Sequence, residues 1–291
     1  MKPLLSYYGG KQRMVNKILP LIPKHINYVE PFAGGLSVLC AKPFPTVSSA
    51  IYYREIINDI DKNLINFYRC LQDPDKLKSL VQKIELSLFS KEDFILSKDM
   101  SVEDDVERAR RYFVRVSQAF SGMWTGGWKF NVKGSNEAYV WLRRVERLPE
   151  FVERIRQVII ECDDAIRIIK KYDSPHTFFY VDPPYVGTRM DYDCYTVEEY
   201  QKLCGVLDGI KGSFLLSSYD NGLTPKHWEK FTFDTLNRSA TYWKTSGKNV
   251  DIDDRRVEAV FRKFSDPSEE YRKIYSTPAF DCFQKHPWEV Q

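Results

Sequence analysis

Apolar and polar positions alternate in a way that divides the chain into strand, turn and helix units. Residues 26–39, INYVEPFAGGLSVL, pass from a short apolar run through a glycine pair to apolar residues at helical spacing. That order predicts strand, tight turn and helix. A second apolar run, AIYYREIIND at 50–59, predicts a strand ending at Asn58-Asp59, and the helical pattern after it has Asp61 in the N-cap position. Strand-like segments return at 156–165, at TFFYV (177–181) and at 212–221, with a short helix between the first two. RRVEAVFRKF at 255–264 predicts a late edge strand. Thr196 and Glu199 have capping-box spacing, so a helix begins near Val197 and residues 186–195 form a loop before it.

Between about residues 62 and 155 the pattern changes to charged helical stretches. Ala109, Phe113, Val116 and Phe120 make an apolar stripe at helical spacing, while Arg108, Arg111 and Arg115 fall on another face, available for phosphate contacts. The following SGMWTGGWKFNVKGSN (121–136) predicts a projecting hairpin or loop, with Trp124, Trp128 and Lys129 either in the core or at its tip, and the glycines around them favour an exposed tip that enters a groove. The whole pattern predicts an α/β protein with a mostly parallel twisted sheet. Residues 1–61 and 156–291 form the sheet domain, and 62–155 form an inserted helical domain. The tail from Ser265 to Gln291 has no legible pattern.

Composition narrows this only modestly. With 291 residues, 43% of them hydrophobic, the chain can form one large α/β domain with an insertion, or two modest domains. A net charge of +3 is too small to mark a nucleic-acid partner by itself. The six cysteines contain no Cys-x-x-Cys pair and the four histidines no His-x-x-x-His pair, which predicts reduced thiols and no metal site. Nothing approaches a membrane span, and MKPLLSYYGGK reaches polar residues too early for a secretory signal. The expectation is a soluble, cytoplasmic, unprocessed protein.

The chemistry concentrates at VDPPY (181–185). Pro183 and Pro184 cannot donate to a sheet ladder, so they end the strand and stiffen the backbone around Asp182 and Tyr185. In an open α/β sheet, ligands bind beyond the carboxyl ends of the strands, where Gly34-Gly35, Asp59, Asp164 and Asp182 converge. Neither a G-x-x-x-x-G-K-[ST] cradle nor a full G-x-G-x-x-G is present, which favours a nucleoside cofactor without a pyrophosphate.

SYYGGK, VEPFAGG, NDID, DPPY and LSSYDN, in that order, resemble the DNA adenine methylase (Dam-type) class of adenine-specific DNA methyltransferases over roughly residues 4–264. The resemblance implies a class I methyltransferase fold with an inserted target-recognition domain. It also implies that S-adenosylmethionine is the cofactor, with Tyr7 and Lys11 contacting it and Lys11 near its carboxylate. Asp59 would hold the ribose, Phe32, Gly34 and Gly35 would form the turn beneath the methionine part, and Asp164 would accept from the cofactor's adenine amine. Asp163 is the alternative if the register slips by one. Asp182 would receive the target amine. Leu36 departs from the pattern, standing where many relatives have another glycine.

Chemistry supports these residue types independently. The N6 lone pair of adenine is delocalised into the ring, so catalysis must act mainly on the amine. Asp182 and the Pro183 carbonyl can accept its two hydrogens, and Tyr185 can stack on a base flipped out of the duplex. The expected partner is double-stranded DNA, with Arg108, Arg111, Arg115, Trp128 and Lys129 as its contacts. The expected enzyme is monomeric and nucleoid-associated through DNA, and a cognate restriction endonuclease would accompany it if it serves restriction and modification. Two other readings stand beside this one: methylation of a different amine, such as cytosine N4 or RNA adenine, and a catalytically silent DNA-binding module of the same fold.

Overall fold

The computed structural model describes residues 1–44, 53–131, 134–186, 195–236, 255–264, 269–277, 280, 281 and 283. The predicted loop at 186–195 lies almost wholly outside them, as do Cys194 and Cys282. Seven strands form one sheet: β1 (Asn27–Glu30), β2 (Arg54–Asn58), β3 (Ile159–Glu161), β4 (Thr177–Val181), β5 (Ser213–Tyr219), β6 (Glu229–Leu236) and β7 (Arg255–Lys263). Their order is β3-β2-β1-β4-β5-β7-β6. The first five are mutually parallel, while β7 runs antiparallel to both β5 and β6.

This is the mostly parallel sheet expected of a class I methyltransferase fold, with one correction. Residues 255–264 are not the edge strand. β7 is inserted between β5 and β6, and β6, whose alternating EKFTFDTL is itself a strand signal absent from the expectation above, forms the edge. The strand predicted from residue 50 begins at Arg54, and the one predicted from 156 is confined to Ile159–Glu161.

Alternation along the strands explains why both faces of the sheet are covered. Tyr28, Ile57, Phe178, Tyr180, Leu215 and Val260 point into one apolar core, and Val29, Ile56, Phe179, Val181, Phe214, Leu216, Ala259 and Phe261 into another. Helices α9 (Ala165–Tyr172) and α10 (Val197–Gly209) cover the second core through Ile168, Ile169, Leu203 and Leu207. The first core continues from α2 (Ser37–Ala41) into the segment between β2 and β3. There lie α3 (Lys62–Gln72), α4 (Pro74–Glu85), α5 (Lys91–Leu96), α6 (Asp105–Gln118), α7 (Glu137–Val145) and α8 (Leu148–Ile155). Asp61 caps α3 by accepting from the Asn63 and Leu64 amides, as its position predicted. Strand order reverses between β1 and β4, so the crevice for a ligand lies beyond their carboxyl ends. No helix among the described residues is long and apolar enough to cross a membrane.

Candidate active site

Beyond β4, which is buried along its whole length, the chain enters Asp182-Pro183-Pro184-Tyr185. Lys11, 171 positions away, reaches the same place from a short N-terminal turn (Lys11–Arg13). Its Nζ stands 2.7 and 2.8 Å from the two Asp182 oxygens and 2.9 Å from the Gly9 carbonyl oxygen. It also lies over the Tyr185 ring, 4.8 Å from the centroid. Two of the proposed catalytic residues and one proposed cofactor contact therefore form a single cluster.

Tyr7 belongs to the turn before Lys11, closed by a bond from the Gly10 amide to the Tyr7 carbonyl. Its ring lies against Gly34 and Gly35. A Cβ at Gly35 would come within 2.7 Å of the Tyr7 Cβ, and Gly34 has φ +45°. The glycine pair is thus needed first for the approach of Tyr7. Leu36 takes φ 59°, ψ 37°, the left-handed conformation that a glycine would adopt more easily, and is fully buried. The departure in sequence keeps the backbone shape and adds core volume.

Asp59 follows β2 and accepts from the amides of Gly34 and Asp61, both at 3.0 Å. Burial pushes its pKa up to about 6, against the lowering effect of those two bonds. Tyr68 of α3 donates to the Gly34 carbonyl at 2.6 Å, which fixes the turn from the other side. Asn58 was not singled out from the sequence, yet it clamps three loops together. It is buried, its Nδ2 donates to the carbonyls of Pro31 and Asp163 at 2.9 Å, and its Oδ1 accepts from the Asp163 amide at 2.8 Å. A buried Asn at the carboxyl end of a strand was the available signal.

Asp164 is partly buried at the start of α9, where it accepts from the Arg167 amide at 3.1 Å. Asp163 pairs with the Arg167 guanidinium at 3.0 Å and accepts from the Asp164 amide. Phe32 meets Tyr195 edge-on, with ring centroids 5.8 Å apart. Glu30 was also passed over by the sequence reading. It ends β1, accepts from Tyr28 Oη and the Leu39 amide, and is pushed up to about 8 by burial. Through these two bonds it ties the strand to α2.

The residues expected to touch DNA are placed differently. Arg115 is buried, stacks on Phe94 and donates to the Trp124 carbonyl. Arg111 binds Glu107 and Asp99 at 3.1 and 3.2 Å, and Arg108 binds Asp105 and the Val102 carbonyl. The three arginines do not make one free basic face. The apolar stripe also ends early, because α6 stops at Gln118 and Phe120 is exposed.

Segment 119–131 closes on itself through an Ala119–Trp128 bridge and packs against the N-terminal segment at Ser6. A Cβ on Gly122 would fall 1.8 Å from the Ser6 carbonyl oxygen. Trp124 and Trp128 are partly buried, Trp124 packing on Tyr112 and Trp128 on Phe89, and Lys129 pairs with Glu137 at 2.6 Å. The strongly exposed aromatic is Phe130, so the tryptophans form the base of this loop instead of its tip. No group of three or more His, Cys, Asp or Glu side chains suited to a metal occurs among the described residues.

Residues 7–244 match the family described as D12 class N6 adenine-specific DNA methyltransferase. The chain is 24% identical over 205 residues to the type II methyltransferase M.MjaIII of Methanocaldococcus jannaschii, covering 64% of this chain and 69% of that one. It is 25% identical over 265 residues to the type II methyltransferase M1.LlaDCHI of Lactococcus lactis subsp. cremoris, covering 83% and 89%. It is 20% identical over 277 residues to the DNA adenine methylase of Escherichia coli strain K12, covering 87% and 93%.

Proposed function

The chain belongs to the D12 class of N6 adenine-specific DNA methyltransferases, and from that premise we propose that S-adenosylmethionine binds beyond β1 and β2 while a flipped adenine meets Asp182, Pro183 and Tyr185. The observation that carries this reading is the junction of Lys11, Asp182 and Tyr185 at the end of β4, beside the point where strand order reverses.

The donor set suits the cofactor. Asp59 is a carboxylate held by two backbone amides and only partly buried, with lone pairs left for ribose hydroxyls. Asp164 is an acceptor for an amine at the neighbouring strand end, Phe32 offers an apolar surface, and Tyr7 on the Gly34-Gly35 turn borders the space for the methionine part. Lys11 is a cation within reach of a carboxylate. When bound, the cofactor supplies an electrophilic methyl group on a sulfonium.

The chain's own residues act on the amine. Asp182 already accepts from the Lys11 ammonium through Oδ2, which suits this carboxylate to an amine. With the Pro183 carbonyl it draws on the two N6 hydrogens and favours the pyramidal nitrogen whose lone pair can attack. The double proline keeps these acceptors fixed, so little reorganisation is needed during reaction. Tyr185, 5% exposed beneath the Lys11 ammonium, becomes a surface for the flipped base when that ammonium turns to the cofactor's carboxylate, and then offsets part of the flipping cost, about a few kcal/mol.

Residues 62–155 are assigned target recognition, with exposed Phe130 and the loop that bears it on the DNA side. Trp128 and Lys129 then support that loop, and Arg108, Arg111 and Arg115 order the helices behind it. The type II names of two relatives support a partnership with a restriction endonuclease, and a DNA substrate suits a cytoplasmic enzyme. The test is incubation of the purified protein with labelled S-adenosylmethionine and genomic DNA from a methylation-free host, followed by nucleoside analysis. N6-methyladenine is expected. Label in N4-methylcytosine, or no label in DNA, rejects the reading.

A further inference from the structure

The segment LSSYDN (216–221) has no part in the mechanism above, yet its tyrosine lies within it. β5 ends at Tyr219, and β4 pairs with β5 in the register Val181 to Leu216, so Tyr219 emerges alongside the Asp182–Tyr185 segment. The Tyr219 and Tyr185 rings have centroids 4.6 Å apart and planes at 77°, a close edge-on contact. Tyr185 is only 5% exposed and has the Lys11 ammonium over its ring, whereas Tyr219 is half-buried. The backbone of Tyr219 is fixed in turn by pairing with Glu258 of β7, and Ser217 two residues earlier pairs with Tyr180 of β4 at 3.1 Å.

Two contacts of different kinds therefore bear on the Tyr185 ring. The ammonium of Lys11 bears on its π-face, and Tyr219 meets it edge-on with the directional preference of aromatic pairs. Pro183 and Pro184 stiffen the backbone before Tyr185 but do not set its side-chain torsions. Tyr219 is an aromatic neighbour that can.

We propose that Tyr219 is a positioning residue, holding the Tyr185 ring in the orientation that receives the flipped adenine. The inference rests on the adenine-methylating reading above. It predicts that an aliphatic side chain at 219 leaves cofactor binding intact but lets the Tyr185 ring turn, so the base is presented less often in the reactive geometry.

The test is a double-mutant cycle read by single-turnover methyl transfer, with enzyme in excess, labelled S-adenosylmethionine and genomic DNA from a methylation-free host. Tyr219→Leu is expected to slow transfer about tenfold, within the range that small misplacements of reacting groups cost. Tyr219→Phe, which keeps the ring, is expected to stay within about threefold of the parent. With Tyr185→Leu already present, Tyr219→Leu should cost less than about twofold, because its effect runs through Tyr185. Cofactor affinity, measured by equilibrium dialysis, should move less than about twofold in Tyr219→Leu.

An equal loss in both backgrounds would show that Tyr219 acts on its own, and overturns the proposal. So does a parental rate in Tyr219→Leu, a Tyr219→Phe loss as large as that of Tyr219→Leu, or a parallel loss of cofactor binding. If the parent protein itself places no methyl group on adenine, the functional reading fails first. An active parent with an unaffected Tyr219→Leu rejects the positioning role alone.

Discussion

Two lysine–carboxylate pairs lie at opposite ends of the same sheet, and they are built for different ends. Lys42 and Glu55 meet at 2.7 Å at the amino ends of the strands, with side chains 0% and 1% exposed. Arg154 adds a two-point contact to Glu55 at 2.5 and 2.8 Å and donates to the Leu39 carbonyl, while Tyr53 bridges Lys42 and the buried His25. Burial alone would raise the Glu55 pKa, but Lys42 and Arg154 together hold it below its ordinary value. The Lys42 and Glu55 side chains are wholly buried against these partners, so the cluster is closed to solvent.

Lys11 and Asp182 have nearly the same contact distance, but lie beyond the carboxyl ends with side chains 7% and 18% exposed. Around Lys11 lie the Tyr185 ring and the Gly9 carbonyl. Distance therefore does not separate a buried structural ion pair from one at the candidate site. Position on the sheet and remaining access do.

Single substitutions should divide the two clusters cleanly. Asp182→Ala is expected to lower the methyl-transfer rate about 1000-fold, or about 4 kcal/mol, by removing an acceptor needed in the transition state. Cofactor affinity should change far less, and equal loss of both would assign Asp182 a structural role. Glu55→Ala should act in the opposite sense, lowering unfolding free energy by about 3 kcal/mol because Lys42 and Arg154 are left buried without their counter-ion. Urea unfolding of both variants decides the matter. The comparison breaks if Asp182→Ala loses as much stability as Glu55→Ala.

The same contrast explains what could be read from sequence. Asp182, Pro183, Tyr185, Gly34, Gly35 and Asp59 sit in short motifs at strand ends, where local pattern already implies position. The alternating apolar runs likewise gave the parallel core, since their two faces follow directly from a period of two. Long-range partnership has no such local signature. Glu55 and Arg154 are 99 residues apart and meet only because α8 returns the chain to the sheet. Periodicity put Arg108, Arg111 and Arg115 on one helix face, but it could not show that Asp105, Glu107, Asp99 and the Trp124 carbonyl would occupy them. The position of β7 inside the sheet was hidden for a similar reason, because strand order is not encoded in the strand itself.

α2 joins the two ends, beginning at Leu36 on the glycine turn and leading to Lys42 just past its last residue. Leu36→Gly would relieve a left-handed conformation costing about 1–2 kcal/mol. It would also empty a site where loss of a leucine side chain costs about 2–5 kcal/mol. Burial outweighs strain, so a net loss of about 2 kcal/mol is expected in urea unfolding. A more stable Leu36→Gly would mean that strain at the turn, and not core volume, dominates this link.

The smallest expected effect concerns pH and sharpens the contrast along a single strand. Glu55 near the start of β2 is held below its ordinary pKa, whereas Asp59 just beyond its end is raised to about 6 by burial. The lowered group gives stability that is complete above its unfolded pKa and is lost as pH falls through the folded one. The raised group does the reverse: its ionisation opposes folding above pH 6, and that penalty disappears as pH falls from about 6 toward its unfolded value of about 3.9. In the proposed role as ribose acceptor, Asp59 would have to be ionised to accept two hydroxyls. Cofactor affinity should therefore be flat above about pH 7 and weaken by about tenfold per pH unit below 6, until the pKa of the bound state is reached. Isothermal titration with S-adenosylmethionine between pH 5 and 8 measures it, and Asp59→Asn should bind more weakly with that slope removed. An unchanged slope in Asp59→Asn would move the titrating group elsewhere and with it the ribose contact.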